Sequence, residues 1–186
     1  MITELKPYLF SVKDFHRMGK AGILTEDDRV ELLDGEIVEM APTGIRHVGT
    51  VDRLTTIFTS HLGRRVIVRV QSPVQLGRRS EPLPDVTILK ARPDFYTTAP
   101  SQTTDVLLLI EVADSTARTD RSSKIPLYAA ANIAEVWLVD LETNAVEVYR
   151  QPSGGGYGDV QRLTPGDHVS PSAFPEVSLA VADILG

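Results

Sequence analysis

Residues 84 to 124 determine how this chain folds, and they read Pro84-Asp85-Val86-Thr87-Ile88-Leu89, then, after a polar loop, Val106-Leu107-Leu108-Leu109-Ile110-Glu111-Val112, then Asp120-Arg121-Ser122-Ser123-Lys124. Both apolar runs are short, continuous and rich in β-branched residues, and Pro and polar residues bound them, which predicts two buried strands. Each predicted strand carries a carboxylate, Asp85 or Glu111. Because a buried carboxylate is costly unless a positive group pairs with it, these acids are either salt-bridged structural residues or ligands of a cation.

The length and composition indicate one globular domain that spans residues 1–186. The chain has 186 residues, of which 42% are hydrophobic, enough for one domain with a substantial core. It has no cysteine, which excludes a disulfide scaffold, a thiolate zinc site and a cysteine nucleophile. Any metal must therefore be bound through oxygen or histidine. No Gly-x-Ser-x-Gly motif supports a serine hydrolase.

The charge of the chain limits the kind of partner that it can bind. A formal net charge of −6 argues against a surface coated with basic residues for tight nonspecific binding of nucleic acid. A nuclease remains compatible, because a divalent cation and a local basic patch can supply the positive field at its site. Residues 1–7 lack a basic region followed by an apolar one, and no apolar run is long enough to span a bilayer. We therefore expect a cytoplasmic protein with no membrane partner.

A β-hairpin is predicted over residues 29–40. Two alternating runs flank the dipeptide Asp34-Gly35, which is the turn chemistry that a type I′ hairpin needs. A two-residue turn places Leu33 opposite Glu36, and Glu31 lies on the same strand face as Leu33 because side chains alternate. Glu31 therefore either points towards the interior or is a solvated carboxylate of the hairpin, and spacing alone leaves both open.

Two helices are predicted before the central stretch. Ser11 precedes apolar residues at helical spacing, which predicts a short amphipathic helix that ends near residue 19 or 22. Thr43 or Gly44 caps a longer helix that runs to about Leu62, with an apolar stripe along one side. His47 lies on or beside that stripe near the start of the helix. It is either a core histidine with a satisfied hydrogen bond or a residue that reaches a site under the first turn.

The remaining segments predict further strands and one more helix. The run 66–71 followed by 74–76 predicts one bent strand or two, interrupted at Pro73. A helix from about Asp120, as its cap, to Ala131 carries Lys124. Pro126 interrupts or kinks that helix unless the helix begins only at residue 123. Residues 134–140 and 145–150 predict a second hairpin, and 160–163, 168–169 and 177–181 predict short closing strands, with 181–185 as a terminal helical turn.

Two acids on adjacent strands and a nearby lysine make a minimal site for metal-assisted hydrolysis of a phosphodiester. Oxygen ligands suit Mg²⁺ or Mn²⁺, which accept few protein carboxylates and keep several waters. The metal lowers the pKa of a bound water and neutralises developing charge, while a lysine positions the nucleophile or stabilises that charge. Spacing alone is a weak indication of such a site, because Pro-Asp followed by a distant Glu occurs by chance in many α/β chains.

Several motifs, taken together and in this order, resemble the Uma2 family, which was long catalogued as the domain of unknown function DUF820. That family belongs to the PD-(D/E)XK, or restriction-endonuclease-like, superfamily. The resemblance spans roughly residues 8 to 181, and the motifs are specific in combination. They are Glu31-Leu32-Leu33-Asp34-Gly35-Glu36-Ile37-Val38, His47, Pro84-Asp85-Val86, Glu111-Val112-Ala113-Asp114-Ser115-Thr116, Asp120-Arg121-Ser122-Ser123-Lys124-Ile125-Pro126-Leu127-Tyr128-Ala129 and Glu135-Val136-Trp137-Leu138-Val139-Asp140.

The resemblance implies both a fold and a set of metal ligands. The implied fold is α/β (α+β), with a restriction-endonuclease-like core, a mixed central β-sheet flanked by helices, and additional β-hairpins. The implied metal-binding acids are Asp85 and Glu111, and we expect the Val112 carbonyl to join them. Glu31 is the implied additional acid, which would bind a second metal or order the waters of the first.

The lysine of the superfamily pattern is displaced in this chain. That pattern places a lysine two residues after the second acid, where this chain has Ala113. The Uma2 family is similar in carrying the lysine on the following helix, which makes Lys124 the replacement. His47 matches a histidine of the family, and we predict that it contacts phosphate or water.

The function that we predict is a divalent-metal-dependent endonuclease acting on nucleic acid, with DNA expected ahead of RNA and Mg²⁺ or Mn²⁺ as cofactor. The alternative is a catalytically inactive member of the same fold, a binding or regulatory module whose acids and lysine form a salt-bridge network. The acidic net charge and Ala113 favour that alternative. Superfamily members often act as dimers, so a homodimer is compatible with the resemblance, and Trp137 is expected in the core rather than in an interface.

Overall fold

The amino-terminal part of the chain folds around the turn at Asp34-Gly35. The computed structural model describes residues 6–186. Residues 1–5, which are part of the segment 1–7 used to expect a cytoplasmic protein, lie outside the described residues. Strands β1 (Val30–Leu33) and β2 (Glu36–Glu39) pair antiparallel, with Leu33 opposite Glu36. Asp34 has φ 47° and Gly35 has φ 87°, and a type I′ turn needs positive φ at both central positions. The predicted hairpin is confirmed.

Gly35 is a position where the turn depends on glycine, because an added Cβ would lie 2.7 Å from the Cβ atom of Leu9. We expect Gly35→Ala to lower the free energy of unfolding by about 1–3 kcal/mol for backbone strain and by about 1–3 kcal/mol more for the overlap. Gly155→Ala is the matched control, since Gly155 has φ 96° and open space around its Cβ position. Urea unfolding of both variants separates the two costs, and equal losses would contradict the close approach to Leu9.

The central sheet brings the two acid-bearing segments side by side. Its strands are β3 (Val66–Val70), β4 (Val86–Lys90), β5 (Val106–Ala113), β6 (Glu135–Asp140), β7 (Ala145–Ser153) and β8 (Gly156–Leu163). They lie in that order across the sheet, and β5 and β6 are parallel while the other neighbours are antiparallel. A parallel pair needs a crossover connection, which the helical segment between β5 and β6 provides. The expected mixed sheet and the second hairpin, β6 with β7, are confirmed.

The prediction that residues 74–76 form a strand is wrong. The Val74 N–H donates to the Pro82 carbonyl and the Leu76 N–H donates to the Ser80 carbonyl. These two bonds close a loop over residues 74–82, and the far arm of that loop bridges to β1 through Glu81 and Leu32. The apolar side chains of Val74 and Leu76 pack into a hydrophobic cluster with Leu89 and Tyr96, without an extension of the sheet.

The two predicted amino-terminal helices are present. Helix α1 (Val12–Lys20) begins with a capping box, in which Ser11 and Asp14 exchange side-chain and backbone hydrogen bonds. Helix α2 (Ile45–Leu62) begins after Gly44, one of the two caps considered. Its apolar stripe packs on one face of the central sheet, where an amphipathic helix buries the side that water would otherwise contact. The buried members of that stripe are Val51, Leu54, Phe58 and Leu62.

The helix that carries Lys124 differs from the prediction. It begins earlier than Asp120, with α3 (Ala117–Thr119), continues as a π-helical segment over Asp120–Lys124, and ends as α4 (Ile125–Ala130). Asp120 is therefore inside the helical segment and is not its cap. Pro126 lies at one of the first two positions of α4, directly after the π-helical segment, so the regular α-helical pattern is interrupted before it. The predicted interruption at Pro126 therefore takes the form of a π-helical turn over residues 120–124.

The carboxyl-terminal elements close the fold as short pieces. They are β9 (His168–Val169), β10 (Leu179–Ala180) and α5 (Val181–Leu185). Trp137 is fully buried beside Phe58 on the α2 side of the sheet, so its expected place in the core is confirmed. Leu138 points to the opposite side, where it packs in a second core with Tyr128. Within residues 6–186, no helix combines the length and apolar composition needed to cross a bilayer.

Candidate active site

The site residues predicted from the sequence converge on one cleft of about 590 Å³. The cleft opens between the β1–β2 hairpin, the start of α2, and the strand ends of β4 and β5, and the π-helical segment closes its remaining side. Each of these elements is distant from the others in sequence. The predicted residues that line the cleft are Glu31, His47, Asp85, Glu111, Val112 and Lys124.

Asp85 and Glu111 meet because β4 and β5 run antiparallel. Val86 pairs with Ile110, so the residue before Val86 lies beside the residue after Ile110. The Val112 N–H donates to Asp85 Oδ2 at 2.8 Å. Both acids are buried, with exposed fractions of 6% for Asp85 and 3% for Glu111. The sequence-level expectation that the two acids lie on neighbouring strands is therefore confirmed, although Asp85 directly precedes β4.

Lys124 returns from the π-helical segment to the same place. Its Nζ lies 3.3 Å from Glu111 Oε1 and 3.2 Å from Glu31 Oε1. Burial opposes the charged form, but the carboxylates of Glu111 and Glu31 outweigh it and raise the pKa of Lys124. The side chain is therefore an ammonium at neutral pH. Ala113, at the position where the superfamily pattern has its lysine, is buried with no exposed area.

Glu31 points towards the interior, so the solvated alternative for this residue is wrong. Its exposed fraction is 4%. One carboxylate oxygen contacts Lys124, and the other accepts a hydrogen bond from the Leu83 N–H at 3.2 Å. The physical reason is that Lys124 and the Leu83 backbone enclose the carboxylate and supply a partner to each of its oxygens.

His47 lies against Asp85 rather than in the apolar core. Its Nε2 is 3.0 Å from Asp85 Oδ1, within ion-pair distance, but the N–H direction does not meet that oxygen in hydrogen-bond geometry, and the buried Nε2 has no hydrogen-bond partner among the described residues. The contact with Asp85 raises the pKa of His47. Burial partly opposes this increase, and the Val112 backbone adds to it. We describe the pair as ionic. His47 therefore reaches the site at the start of α2, which is the second of the two alternatives considered for it.

Two further residues belong to the site and were not predicted. The Tyr128 hydroxyl donates to Glu111 Oε1 at 2.5 Å, and this side chain is fully buried. Asp120 is 7% exposed, accepts a hydrogen bond from the Thr116 hydroxyl at 2.8 Å, and lines the cleft. Tyr128 follows Lys124 by four residues, one helical turn, which was the available signal for it. Asp120 had no such signal, because only the π-bulge turns it inward.

Burial dominates the electrostatics of Glu111. It raises the pKa of Glu111 to about 8, with Lys124 opposing and Asp85 reinforcing the shift. Burial likewise raises the pKa of Asp120, against the influence of Lys124. The lining of the cleft contains more acidic residues than basic ones, and the raised pKa of Glu111 reduces the resulting negative charge.

The proton on Glu111 predicts a pH dependence of stability. Between about pH 4.5, the ordinary value, and pH 8, the folded state retains the proton that the unfolded chain has released. Stability from this group is therefore full below pH 4.5 and is lost as the pH rises towards 8, by at most about 1.4 kcal/mol per pH unit. We expect Glu111→Gln to lack this slope. Urea unfolding of both proteins in EDTA at pH 5 to 8.5 measures it, and parallel curves would contradict a raised pKa.

The donor set fits a small divalent cation that keeps most of its water. Within residues 6–186, no three His, Asp or Glu side chains form a ready-made metal cage. Asp85, Glu111 and the Val112 carbonyl stay the predicted ligands, and Mg²⁺ accepts a set of so few oxygen donors because it retains several waters. The contact with Asp85 raises the pKa of His47, and burial, reinforced by Asp85, raises the pKa of Glu111; the contribution of Asp85 to both shifts reflects negative charge at this point.

Arg121 connects the π-helical segment to acidic residues of the central sheet. Its guanidinium binds Glu147 through two hydrogen bonds, at 2.8 and 2.7 Å, and Asp140 at 2.5 Å. Against the effect of burial, the Thr143 N–H and then Arg121 lower the pKa of Asp140, and Arg121 lowers the pKa of Glu147. Asp140 and Glu147 stand on β6 and β7, so Arg121 ties the segment that presents Lys124 to the central sheet.

The fold and the cleft together define the class of this protein. A six-stranded mixed sheet flanked by helices, with two acids at the ends of neighbouring strands, is a restriction-endonuclease-like architecture. A crystal structure from Anabaena variabilis ATCC 29413, described as "a putative nuclease belonging to DUF820", has the same fold, with a TM-score of 0.73 and 17% sequence identity over 96% of this chain and 98% of that chain.

Residues 12–182 match the family model Uma2, described as "Putative restriction endonuclease". The chain therefore belongs to the Uma2 family, and the family and fold expected from the sequence motifs are confirmed. No curated protein matches the chain.

Proposed function

We propose that this protein is a divalent-metal-dependent endonuclease that hydrolyses phosphodiester bonds of nucleic acid, with DNA as the expected substrate. The observation that carries the proposal is the juxtaposition of two buried strand-end acids with a buried ammonium group, Lys124 Nζ being 3.3 Å from Glu111 Oε1. Membership of the Uma2 family, described as "Putative restriction endonuclease", supports it. Asp85, Glu111 and the Val112 carbonyl would hold Mg²⁺ or Mn²⁺.

Each residue of the cleft has a chemical task in this proposal. When bound, a divalent cation supplies Lewis-acid stabilisation and a more acidic water. Glu111 gives up its proton when it becomes a ligand, so cation binding strengthens as the pH rises towards 8. Lys124 stabilises the negative charge that develops on the phosphoryl oxygens. Glu31 holds the ammonium group in place or, as a further ligand, binds a second cation or orders the waters of the first.

His47 has the position for a second contribution. His47 lines the cleft, and its buried Nε2 lies 3.0 Å from Asp85 Oδ1. A protonated imidazole at this position would add positive charge next to the substrate.

A catalytically inactive module with the same fold is the second candidate. It is favoured by the fact that Lys124 already bridges Glu31 and Glu111, which is the salt-bridge network expected of a purely structural site. In that case the protein would not bind Mn²⁺, and truncating either acid would lower stability by leaving a buried charge unpaired.

The proposal is tested with purified protein on supercoiled plasmid and on single-stranded DNA and RNA. Cleavage with Mg²⁺ or Mn²⁺ that stops in EDTA is the expected result. Calorimetric titration with Mn²⁺ runs in parallel. Absence of both cleavage and binding would select the inactive module.

From the contacts of Arg121, we predict that its removal lowers activity by more than the accompanying loss of stability explains. We expect Arg121→Ala to lower cleavage by roughly 10- to 100-fold, because Lys124 is no longer held in register. Arg150→Ala is the matched control, since Arg150 pairs with buried Glu135 across the same two strands, at 2.8 Å. Both variants should lose about 1–3 kcal/mol of stability, discounted for the partial exposure of the arginines.

Activity assays and urea unfolding of these two variants decide the question. Equal activity losses in Arg121→Ala and Arg150→Ala would assign the effect to stability alone. Partial recovery of cleavage in Arg121→Lys would support the positioning role.

A further inference from the structure

A strip of positive charge lies on α1, outside the cleft. Lys13, Arg17 and Lys20 are spaced by four and three residues, so they project from one side of the helix. Together with Arg78 they line a surface depression of about 560 Å³. All four side chains are exposed, in a chain whose formal net charge is −6.

Acidic groups do little to neutralise this basic strip. Arg17 Nη1 lies 3.8 Å from Asp14 Oδ1, and an exposed pair of that kind contributes little. Asp14 is also committed to Ser11 at the start of the helix. Across residues 6–186, Lys13, Lys20 and Arg78 form no ion pair. Their charge is therefore available to an external anion.

The basic strip is joined to the cleft through the β1–β2 hairpin. The Phe10 N–H donates to the Gly35 carbonyl at 2.8 Å, and the Val12 N–H donates to the Arg78 carbonyl at 2.9 Å. Gly35 is at the turn of the hairpin whose first strand carries Glu31 into the cleft. At about 3.4 Å per residue, Glu31 lies roughly 13 Å from that turn. A duplex carries one phosphate charge per about 1.7 Å of its axis, so several phosphates would span this distance.

We propose that the basic strip binds the phosphate backbone of the nucleic acid whose scissile bond lies in the cleft, an inference that rests on the proposed function. Lysine and arginine on flexible stems bind phosphates without reading bases, so the contact would position the substrate and not select its sequence. It would also supply the local positive field that an acidic protein needs in order to hold a polyanion.

The test is the salt dependence of DNA binding. A fluorescently labelled 20-base-pair duplex is titrated in EDTA with the wild-type protein and with the triple variant Lys13→Ala/Arg17→Ala/Lys20→Ala. The expected result is a slope of log K against log salt that is shallower by roughly 3 and affinity lower by at least about 10-fold at low salt. The matched control, Arg64→Ala/Lys90→Ala/Arg162→Ala, removes the same charge from exposed positions outside the strip, and it should change the slope by less than 1.

A second measurement separates this inference from the proposed function. Hydrolysis of bis(p-nitrophenyl) phosphate, which is too small to reach α1 from the cleft, should proceed at the wild-type rate in the triple variant. Equal slopes for the triple variant and its control would overturn the basic strip as a binding surface, even if the protein cleaves DNA. Loss of DNA binding in the triple variant alone would sustain it, even if no cleavage were found. Lys20→Glu, a single exposed change, repeats the test if the triple variant does not fold.

Discussion

Lys124→Met is expected to reduce phosphodiester cleavage by about 10²–10³-fold, the usual cost of removing one preorganised group that stabilises developing charge. Methionine keeps the apolar stem of the side chain and removes the ammonium, which lies 3.2 Å from Glu31 Oε1 and 3.3 Å from Glu111 Oε1. Both carboxyl groups then lose their positive partner, so the pKa of Glu111, already about 8 because of burial, is expected to rise further. The optimum of cleavage should therefore move to higher pH.

Initial rates on plasmid DNA between pH 6 and 9.5 measure this effect. Lys90→Met is the control, because it makes the same chemical change at the exposed end of β4. Activity retained in Lys124→Met would exclude Lys124 from the chemistry. A fall in rate without a change in the pH profile would indicate that Lys124 does not set the charge state of Glu111.

Asp85→Asn is expected to abolish both Mn²⁺ binding and cleavage. The amide preserves the shape of the side chain and an oxygen that can accept the bond from the Val112 N–H, now 2.8 Å from Oδ2, so the fold should survive. What is lost is the negative charge that a hard cation requires. Since metal assistance contributes several kcal/mol to a transition state, the loss of rate should be about 10³-fold or more.

Calorimetric titration with Mn²⁺ and plasmid cleavage test this variant together. Asp52→Asn, on the exposed side of α2, removes one carboxylate charge from the surface and serves as the control. Undiminished Mn²⁺ binding in Asp85→Asn would place the metal elsewhere. If the wild-type protein binds no Mn²⁺ and Asp85→Asn only lowers stability, the inactive module is the better description.

The same variant bears on His47. Its pKa is raised chiefly by the contact with Asp85, so the imidazole should titrate closer to its ordinary value in Asp85→Asn. The stability that the pair contributes is present below the unfolded pKa of His47, about 6.5, and is lost as the pH rises through the folded value. The change in cleavage and the change in stability are therefore separable by pH.

Much of the fold was predictable because its signals are local. Asp34-Gly35 specifies a type I′ turn by itself, Ser11 caps a helix by itself, and continuous apolar runs predict the two buried strands at β4 and β5. The predictions of local structure were wrong where contacts with another segment of the chain decided the backbone conformation. Residues 74–76 have the composition of a strand, but their backbone hydrogen-bond partners lie in residues 80–82. The composition of residues 74–76 does not indicate these partners.

The candidate site also has features that the sequence predicted and features that depend on the tertiary structure. The acids, the histidine and the lysine were identified by residue type and by motif order. Their charge states were not, because the raised pKa of Glu111 depends on burial and the raised pKa of Lys124 depends on which acids surround it. Tyr128 reaches Glu111 from α4, and Asp120 lines the cleft from the π-helical segment.

By itself, the sequence predicted two buried acids on neighbouring strands and a hairpin that carries a third, and the resemblance to the Uma2 family implied that Lys124 on the following helix replaces a lysine at position 113. The tertiary structure alone decided that Glu31 is buried, that His47 faces Asp85 and that Arg121 anchors Lys124 from behind. The physical reason is that turn chemistry and hydrophobic periodicity act over a few residues, whereas burial, ion pairing and pKa depend on groups brought together from four separate parts of the chain.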